Sequence, residues 1–330
     1  MISASANSPT VSVLIANFNY GRFLGTAIES ALAQSCPVRE VVVCDDGSTD
    51  DSCRVAERYA ARYGSVRLVR KPNGGEGSAY SAAFAASSGE IVCLLDSDDV
   101  WKPNKVARMI EIFSSVAEAG WVRHRLRLTD ESLRPLDAVL PACRGSRRVR
   151  NAKYAHLEKT VAFSTTGLSL RRELAERLFP IPEALFRRGP DLYLDYMCGL
   201  LGATGYSLDE ELGLYRRHTV QMSGCGGDFR AVVEAESAMA RAFLEVHPCQ
   251  GYVPTHVYKH EMIAAYMRSG HRLEPLRLRL CAGGLASVGL LLREGCTRLA
   301  LLQLTKLVYG FLLPRSWIRR QLKRNAWGAV

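Results

Sequence analysis

The sequence predicts an α/β protein with a mostly parallel central sheet covered by helices on both faces. Three observations carry this. Short apolar, β-branched runs recur through the first 120 residues, helix-like segments separate them, and three of the runs end in a polar or acidic group. A strand buried on both faces reads as an unbroken apolar run, and parallel neighbours need a crossover between them, usually a helix.

"VSVLIA" (11–16) is the first strand, followed by a helical pattern at 22–34. "EVVVC" (40–44) is the second, leading into "DDGSTDDS" and a helix to about Tyr63. "VRLV" (66–69) is a short third strand. After the loop "PNGGEG" (72–77), the small-residue run to Ser88 forms a helix, and "EIVCLL" (90–95) is the fourth strand. A helix follows Pro103 to about Glu118. "WVRHRLRLTD" (121–130) alternates apolar and basic residues, as an edge strand would. "CRGSRRVRNAK" (143–153) reads as a basic, solvent-facing loop. Residues 160–180 read as a strand and then a helix ended by Pro180. Residues 190–205 read as a helix with Pro190 near its start and Gly202 or Gly205 past its end. Beyond about 229 the pattern is helical, so the expected division is a domain at 1–228 and a helical C-terminal extension at 229–330.

Composition narrows the class. Apolar residues make up 48% and charged residues 23% of 330, which suits a globular chain, and the net charge of +10 points to an anionic partner. The ten cysteines show no C-x-x-C spacing, and Cys44 and Cys93 lie inside apolar runs as core residues. The N-terminal "MISASANSPT" lacks the basic start and apolar core of a signal peptide, and no uninterrupted apolar run of about 18 residues occurs. A reducing, cytoplasmic setting is expected.

In open α/β sheets ligands bind beyond the carboxyl ends of the strands. Asn17 to Asn19, Asp45 with Asp46, and Asp96 to Asp99 should therefore line one edge. Three carboxylates within four residues at the end of a buried strand repel one another. Asp98 or Asp99 could cap the next helix, but a divalent cation accounts for the whole group by accepting oxygen ligands and relieving the repulsion. "DDGSTDDS" is in part a strand-to-helix turn, with Gly47 for the backbone and Ser48, Thr49 or Asp50 as cap. Asp46 could accept from a base imide or a ribose hydroxyl, with the Phe18 ring beside it for stacking. "NGGEG" alone is an ordinary loop, and neither a G-x-G-x-x-G nor a P-loop pattern occurs. Asp191 could be a helix-start residue favoured by the dipole or a base facing the cleft, with Asp195 one turn on as the rival. His218 has a structural reading beside a ligand reading, and Arg216 and Arg217 are surface charges or phosphate contacts.

Taken together the segments resemble the family-two glycosyltransferases, inverting enzymes of the GT-A fold that use nucleotide sugars. The resemblance covers roughly 10–222, through "VSVLIANFNYGRFLGTAIESALAQS", "EVVVCDDGSTDDS", "VRLVRKPNGGEGSA", "GEIVCLLDSDDVWKPNK", "TTGLSLRRE" and "LDEELGLYRRHTVQMS", in the family order. It implies a nucleotide-binding half at about 10–120 and an acceptor half at about 121–228. Phe18 falls where the family stacks the base and Asp46 where it contacts uracil, with Ala16, Asp96 and Ser97 also at the nucleotide. Asp96-Ser97-Asp98 matches the D-x-D motif, with Asp98 the more direct ligand of Mg²⁺ or Mn²⁺ and Asp96 on ribose or metal. Asp99 is then structural, at the next helix. Asp191 matches the general base, and His218 falls near the metal and diphosphate. Ala16 replaces the usual Pro of the first motif, Ser81 and Ala83 the usual Asn and Gly, and Pro190 the acid before the base.

The resemblance implies transfer from a nucleotide sugar, a UDP-sugar foremost, to a hydroxyl of a glycan or lipid-linked acceptor. A non-catalytic nucleotide- or glycan-binding module of the same fold is the alternative. A nucleotidyltransferase would need a basic, Gly-rich triphosphate loop that "ANFNYGRF" does not supply. No aromatic and basic interleaving marks a nucleic-acid platform. "LALLQLTKLVYGFLLPRSWIRRQLKR" reads as a helical cap or as an interfacial helix. In the second reading Trp317, Leu312 and Leu313 enter the headgroup region of the inner membrane face, while Arg315, Arg319, Arg320, Lys323 and Arg324 meet anionic lipid.

Overall fold

The computed structural model describes residues 8–140, 146–149, 164–183, 186–219 and 221, with five positions beyond (288, 289, 292, 301 and 304). The chain divides into two compact units, 1–150 with 161–217, and 151–160 with 218–330. All the elements below belong to the first unit. The helical extension at 229–330 and the basic C-terminal helix fall outside the described residues, apart from those five positions, whereas the strand and helix expected within 160–180 are present as Leu168–Arg171 and Arg172–Leu178.

The first unit is a mixed sheet flanked by helices. Its strands are β1 (Val11–Asn17), β2 (Glu40–Asp45), β3 (Val66–Arg70), β4 (Ile91–Asp96), β5 (Val100–Trp101), β6 (Trp121–Thr129), β7 (Pro135–Leu140), β8 (Arg147–Val149), β9 (Leu168–Arg171) and β10 (Gly205–Arg216). The spatial order is β3-β2-β1-β4-β9-β6-β10-β5, with β7 paired to β6 and β8 to β10. β1, β2, β3 and β4 run parallel, as their apolar runs predict. β1 sits between β2 and β4, and all seven of its residues are buried. The helices are α1 (Gly21–Leu32), α2 (Ser52–Arg62), α3 (Glu76–Ala85), α4 (Lys105–Ser115), α5 (Arg172–Leu178) and α6 (Pro190–Leu200). In α1 the residues Leu24, Ala27, Ile28 and Ala31 form one apolar face, which joins Val13, Ile15, Val41 and Val43 in the core. Cys44 and Cys93 are fully buried free thiols, as their place in the apolar runs suggests. Burial pushes the Cys44 thiol up to about 12.

Three expectations are corrected, and one strand was not expected at all. β6 is not an edge strand, because it lies between β9 and β10. Its basic residues face partners on β10: Arg125 reaches Asp209 at 2.5 Å, and Arg127 grips Glu211 through two bonds of 2.8 and 3.0 Å. Period-two alternation reports a polar face and says nothing of position in the sheet. β10 itself carries no strand signature, since the acidic run Asp209–Glu211 interrupts its apolar pattern; the charges are tolerated because arginines neutralise them. Within the basic stretch, Arg147–Val149 pairs antiparallel with β10 rather than looping into solvent. Neither Asp98 nor Asp99 starts the next helix: α4 begins at Lys105 with Asn104 at its cap position.

Lys105 is completely buried. Its ammonium donates to Ser169 Oγ at 3.0 Å and sits 3.7 Å from the centre of the Trp101 ring, which replaces part of its lost hydration. Burial lowers its proton affinity, opposed by Cys93.

Candidate functional site

The register of the parallel strands brings the polar groups together. Asn17 lies opposite Asp45, and Ala16 lies opposite Asp96, so the ends of β1, β2 and β4 form one edge. Asn17 Nδ2 donates to Asp45 at 3.0 Å, and the Ser48 N–H donates to the other Asp45 oxygen at 2.9 Å. Asn19 adopts a left-handed conformation (φ 57°), and its Oδ1 accepts the Thr49 N–H at 2.7 Å. These bonds hold the loops after β1 and β2 against each other. Phe18, at the same edge, is 37% exposed.

Asp46 is buried and serves the glycine loop. One carboxylate oxygen accepts from Lys71 Nζ at 2.7 Å and the Gly74 N–H at 2.9 Å, and the other from the Gly75 N–H at 2.7 Å. Asn73 Nδ2 donates to its carbonyl at 3.0 Å. Asp50, rather than a hydroxyl residue, receives the Ser52 and Gly21 N–H groups at the start of α2 and α1.

The acidic group after β4 is organised by the 3₁₀ turn Thr165–Gly167. Asp96 accepts from Tyr80 OH at 2.6 Å, from Ser164 Oγ at 3.2 Å and from Thr165 Oγ1. Thr166 Oγ1 accepts the Asp96 N–H at 3.0 Å and donates to Asp99 at 2.6 Å. Trp101 Nε1 donates to the Thr166 carbonyl at 3.0 Å, tying this turn to the segment before α4. Asp99 also accepts the Arg216 N–H at 2.9 Å, and Arg216 Nε donates to the Asp98 carbonyl at 2.8 Å. The Arg216 guanidinium lies 4.6 Å from the centre of the Phe23 ring, and its Nη2 is buried without a hydrogen bond. Burial and Asp98 raise the Asp96 carboxyl above the usual range, against the pull of its hydroxyl donors. Burial, Asp98 and Asp96 raise Asp99 further. Ser97 and Asp98 are buried between them.

A fourth carboxylate joins this group, one that sequence reasoning passed over. Burial, Asp96, Asp191 and Asp98, in that order, push the Glu76 carboxyl well above its ordinary range. The only acid in "NGGEG" was the available signal. Asp191 lies in the first turn of α6, directly after Pro190 at the position where a missing N–H costs nothing. Asp195, one turn on, instead raises the Cys198 thiol, after burial, from within α6. Among the described residues no three His, Cys, Asp or Glu side chains lie close enough to hold a metal unaided. The donor set is nevertheless all oxygen and strongly self-repelling, which fits a hard divalent cation that completes its shell with phosphates and water. His218 belongs to the second unit, where it is buried and its carbonyl accepts the Gln221 N–H at 3.3 Å.

This is the GT-A fold, with an acidic edge at the strand ends. Residues 12–179 match Glycosyl transferase family 2, and the chain belongs to that family. An uncharacterized glycosyltransferase of Nostoc sp. is 36% identical over 212 residues, covering 63% of this chain and 65% of the relative. Chondroitin synthase of Escherichia coli is 37% identical over 105 residues, 32% of this chain and 15% of that protein. The chain thus spans less than two thirds of these relatives' own length. Among solved structures, S. aureus TarS 1-349 in complex with UDP-GlcNAc has a TM-score of 0.57 at 17% identity, covering 86% of this chain and 80% of that one. Mannosyltransferase PcManGT from Pyrobaculum calidifontis, in complex with GDP-Man and Mn²⁺, has a TM-score of 0.54 at 19% identity, covering 98% and 85%. No helix among the described residues is long and apolar enough to cross a membrane.

Proposed function

We propose that the protein is an inverting glycosyltransferase, moving a sugar from a nucleoside-diphosphate sugar, a UDP-sugar foremost, to a hydroxyl of a glycan or lipid-linked acceptor. What supports this is that Asp96, Asp191 and Asp98 are near enough to Glu76 to push its carboxyl up, beyond strand ends that also carry Phe18 and Asp46. The family membership and the nucleotide-bound neighbours support it.

Phe18 offers the exposed ring on which the base stacks. Asp46 Oδ2 accepts one N–H in the structure and would take a base imide as its second donor; Ala16, Ser97 and Asp96 complete the nucleotide subsite. Asp98, with Asp96, would hold Mg²⁺ or Mn²⁺, which would supply Lewis-acid stabilisation of charge on the leaving diphosphate. Asp191 takes the proton of the acceptor hydroxyl as that oxygen attacks the anomeric carbon. Attack opposite the leaving group inverts the centre in one displacement. The influence of Asp191 on Glu76 at the acidic edge supports Asp191 as base.

The test is a panel of nucleotide sugars assayed for nucleoside diphosphate release with and without Mn²⁺, using wild type and Asp191→Asn. Metal-dependent release that the variant loses is expected. Metal-independent release, or full activity in the variant, overturns the mechanism.

A further inference from the structure

α6 starts from a corner that its own residues do not hold. Gly189 occupies the cap position with no side chain to offer, in a left-handed conformation (φ 65°), and Pro190 follows without an N–H. The corner is gripped from the other half of the fold. Glu76 N–H donates to the Arg187 carbonyl at 2.8 Å, and the Gly189 N–H is near enough to the Glu76 carboxylate to favour its charged form. One residue thus meets the segment before α6 at two points, two residues apart.

The neighbouring glycines make that grip close. A Cβ on Gly75 would fall 2.4 Å from the Arg187 carbonyl oxygen, and one on Gly77 would fall 2.5 Å from that of Phe186. Residues 75–77 therefore run against the backbone of 186–187 with no space for a side chain at either flank. Gly75 is also tied to Asp46 at the end of β2, so the loop that presents Glu76 is itself anchored.

We propose that Glu76 is a positioning residue: by holding Gly189 it fixes the first turn of α6, and thereby the place of Asp191 two residues on. The second half of this statement rests on Asp191 being the general base. The first half does not. A base held loosely loses rate steeply, since misplacement by about 1 Å can cost about 100-fold.

Two variants separate the Gly189 contact from the charge. Glu76→Gln keeps an oxygen for that N–H, whereas Glu76→Ala removes it. Hydrogen–deuterium exchange of peptides spanning 186–195 should be faster in Glu76→Ala and close to wild type in Glu76→Gln. Under saturating donor, Glu76→Ala should lose about 30- to 100-fold in kcat with donor KM within about twofold, and Glu76→Gln only about threefold. Unchanged exchange in Glu76→Ala overturns the proposal. So does wild-type kcat in that variant, a loss lying wholly in KM, or a Glu76→Gln variant as impaired as Glu76→Ala. Should wild type transfer no sugar from any donor, the enzymatic reading fails, and the exchange data alone decide whether Glu76 holds α6.

Discussion

The Thr166 hydroxyl donates to the buried Asp99 carboxylate at 2.6 Å while accepting the Asp96 N–H at 3.0 Å. One hydroxyl thus serves both ends of the acidic segment after β4. Thr166→Val keeps the shape and removes both bonds, leaving a carboxylate and an N–H short of partners. Such losses cost about 2–3 kcal/mol, or about 4–12 °C in Tm for a unit of this size. Thermal unfolding should show that fall, and Thr166→Ser should recover most of it.

Asp98→Asn tests the cation. Nucleoside diphosphate release at saturating Mn²⁺ should fall by about 100-fold or more, and EDTA should bring wild type to a similar level. UDP with Mn²⁺ should raise the wild-type Tm more than either alone, and the variant should lose that synergy.

Phe18→Ala should weaken UDP binding by about tenfold, in line with about 1–1.5 kcal/mol for an aromatic contact. Phe18→Tyr should bind as wild type does. Calorimetric titration reads both, and unchanged affinity in Phe18→Ala would remove the ring from the base subsite.

His124 gives a pH prediction. It is buried, and burial together with Lys105 lowers its pKa from 6.5 to about 3. The unfolded chain therefore binds this proton first as pH falls. Its stabilising contribution is complete above pH 6.5 and is lost progressively down to about pH 3, by at most about 1.4 kcal/mol per pH unit. Subtracting the urea-unfolding stability of His124→Leu from that of wild type at each pH should expose that slope; a flat difference from pH 6.5 to 4 would refute it.

The first half of the sheet was legible because strands buried on both faces leave an unbroken signature. The runs at 11–16, 40–44 and 90–95 gave parallel strands and a shared edge, and the registers of Asn17 with Asp45 and Ala16 with Asp96 agree. β10 was not legible, since its acids look like surface until the arginines of β6 and α4 are placed opposite them. Glu76 was hidden for a related reason: its importance comes from Gly189 and Asp191, more than 110 residues away, and no local pattern encodes that meeting. Spacing could find the aspartates after β4, but not that Asp99 would turn to Thr166 and Arg216 rather than to α4.

The pairing of β6 with β10 also shapes the field an approaching anion meets. Arg125 and Arg127 face Asp209 and Glu211, and Arg108 on α4 closes on Glu210 through two bonds of 2.6 and 2.9 Å. Beyond a Debye length of about 8 Å such pairs act as dipoles and not as charges. These six charges cancel in pairs, so they add little to the long-range field of the chain's net +10.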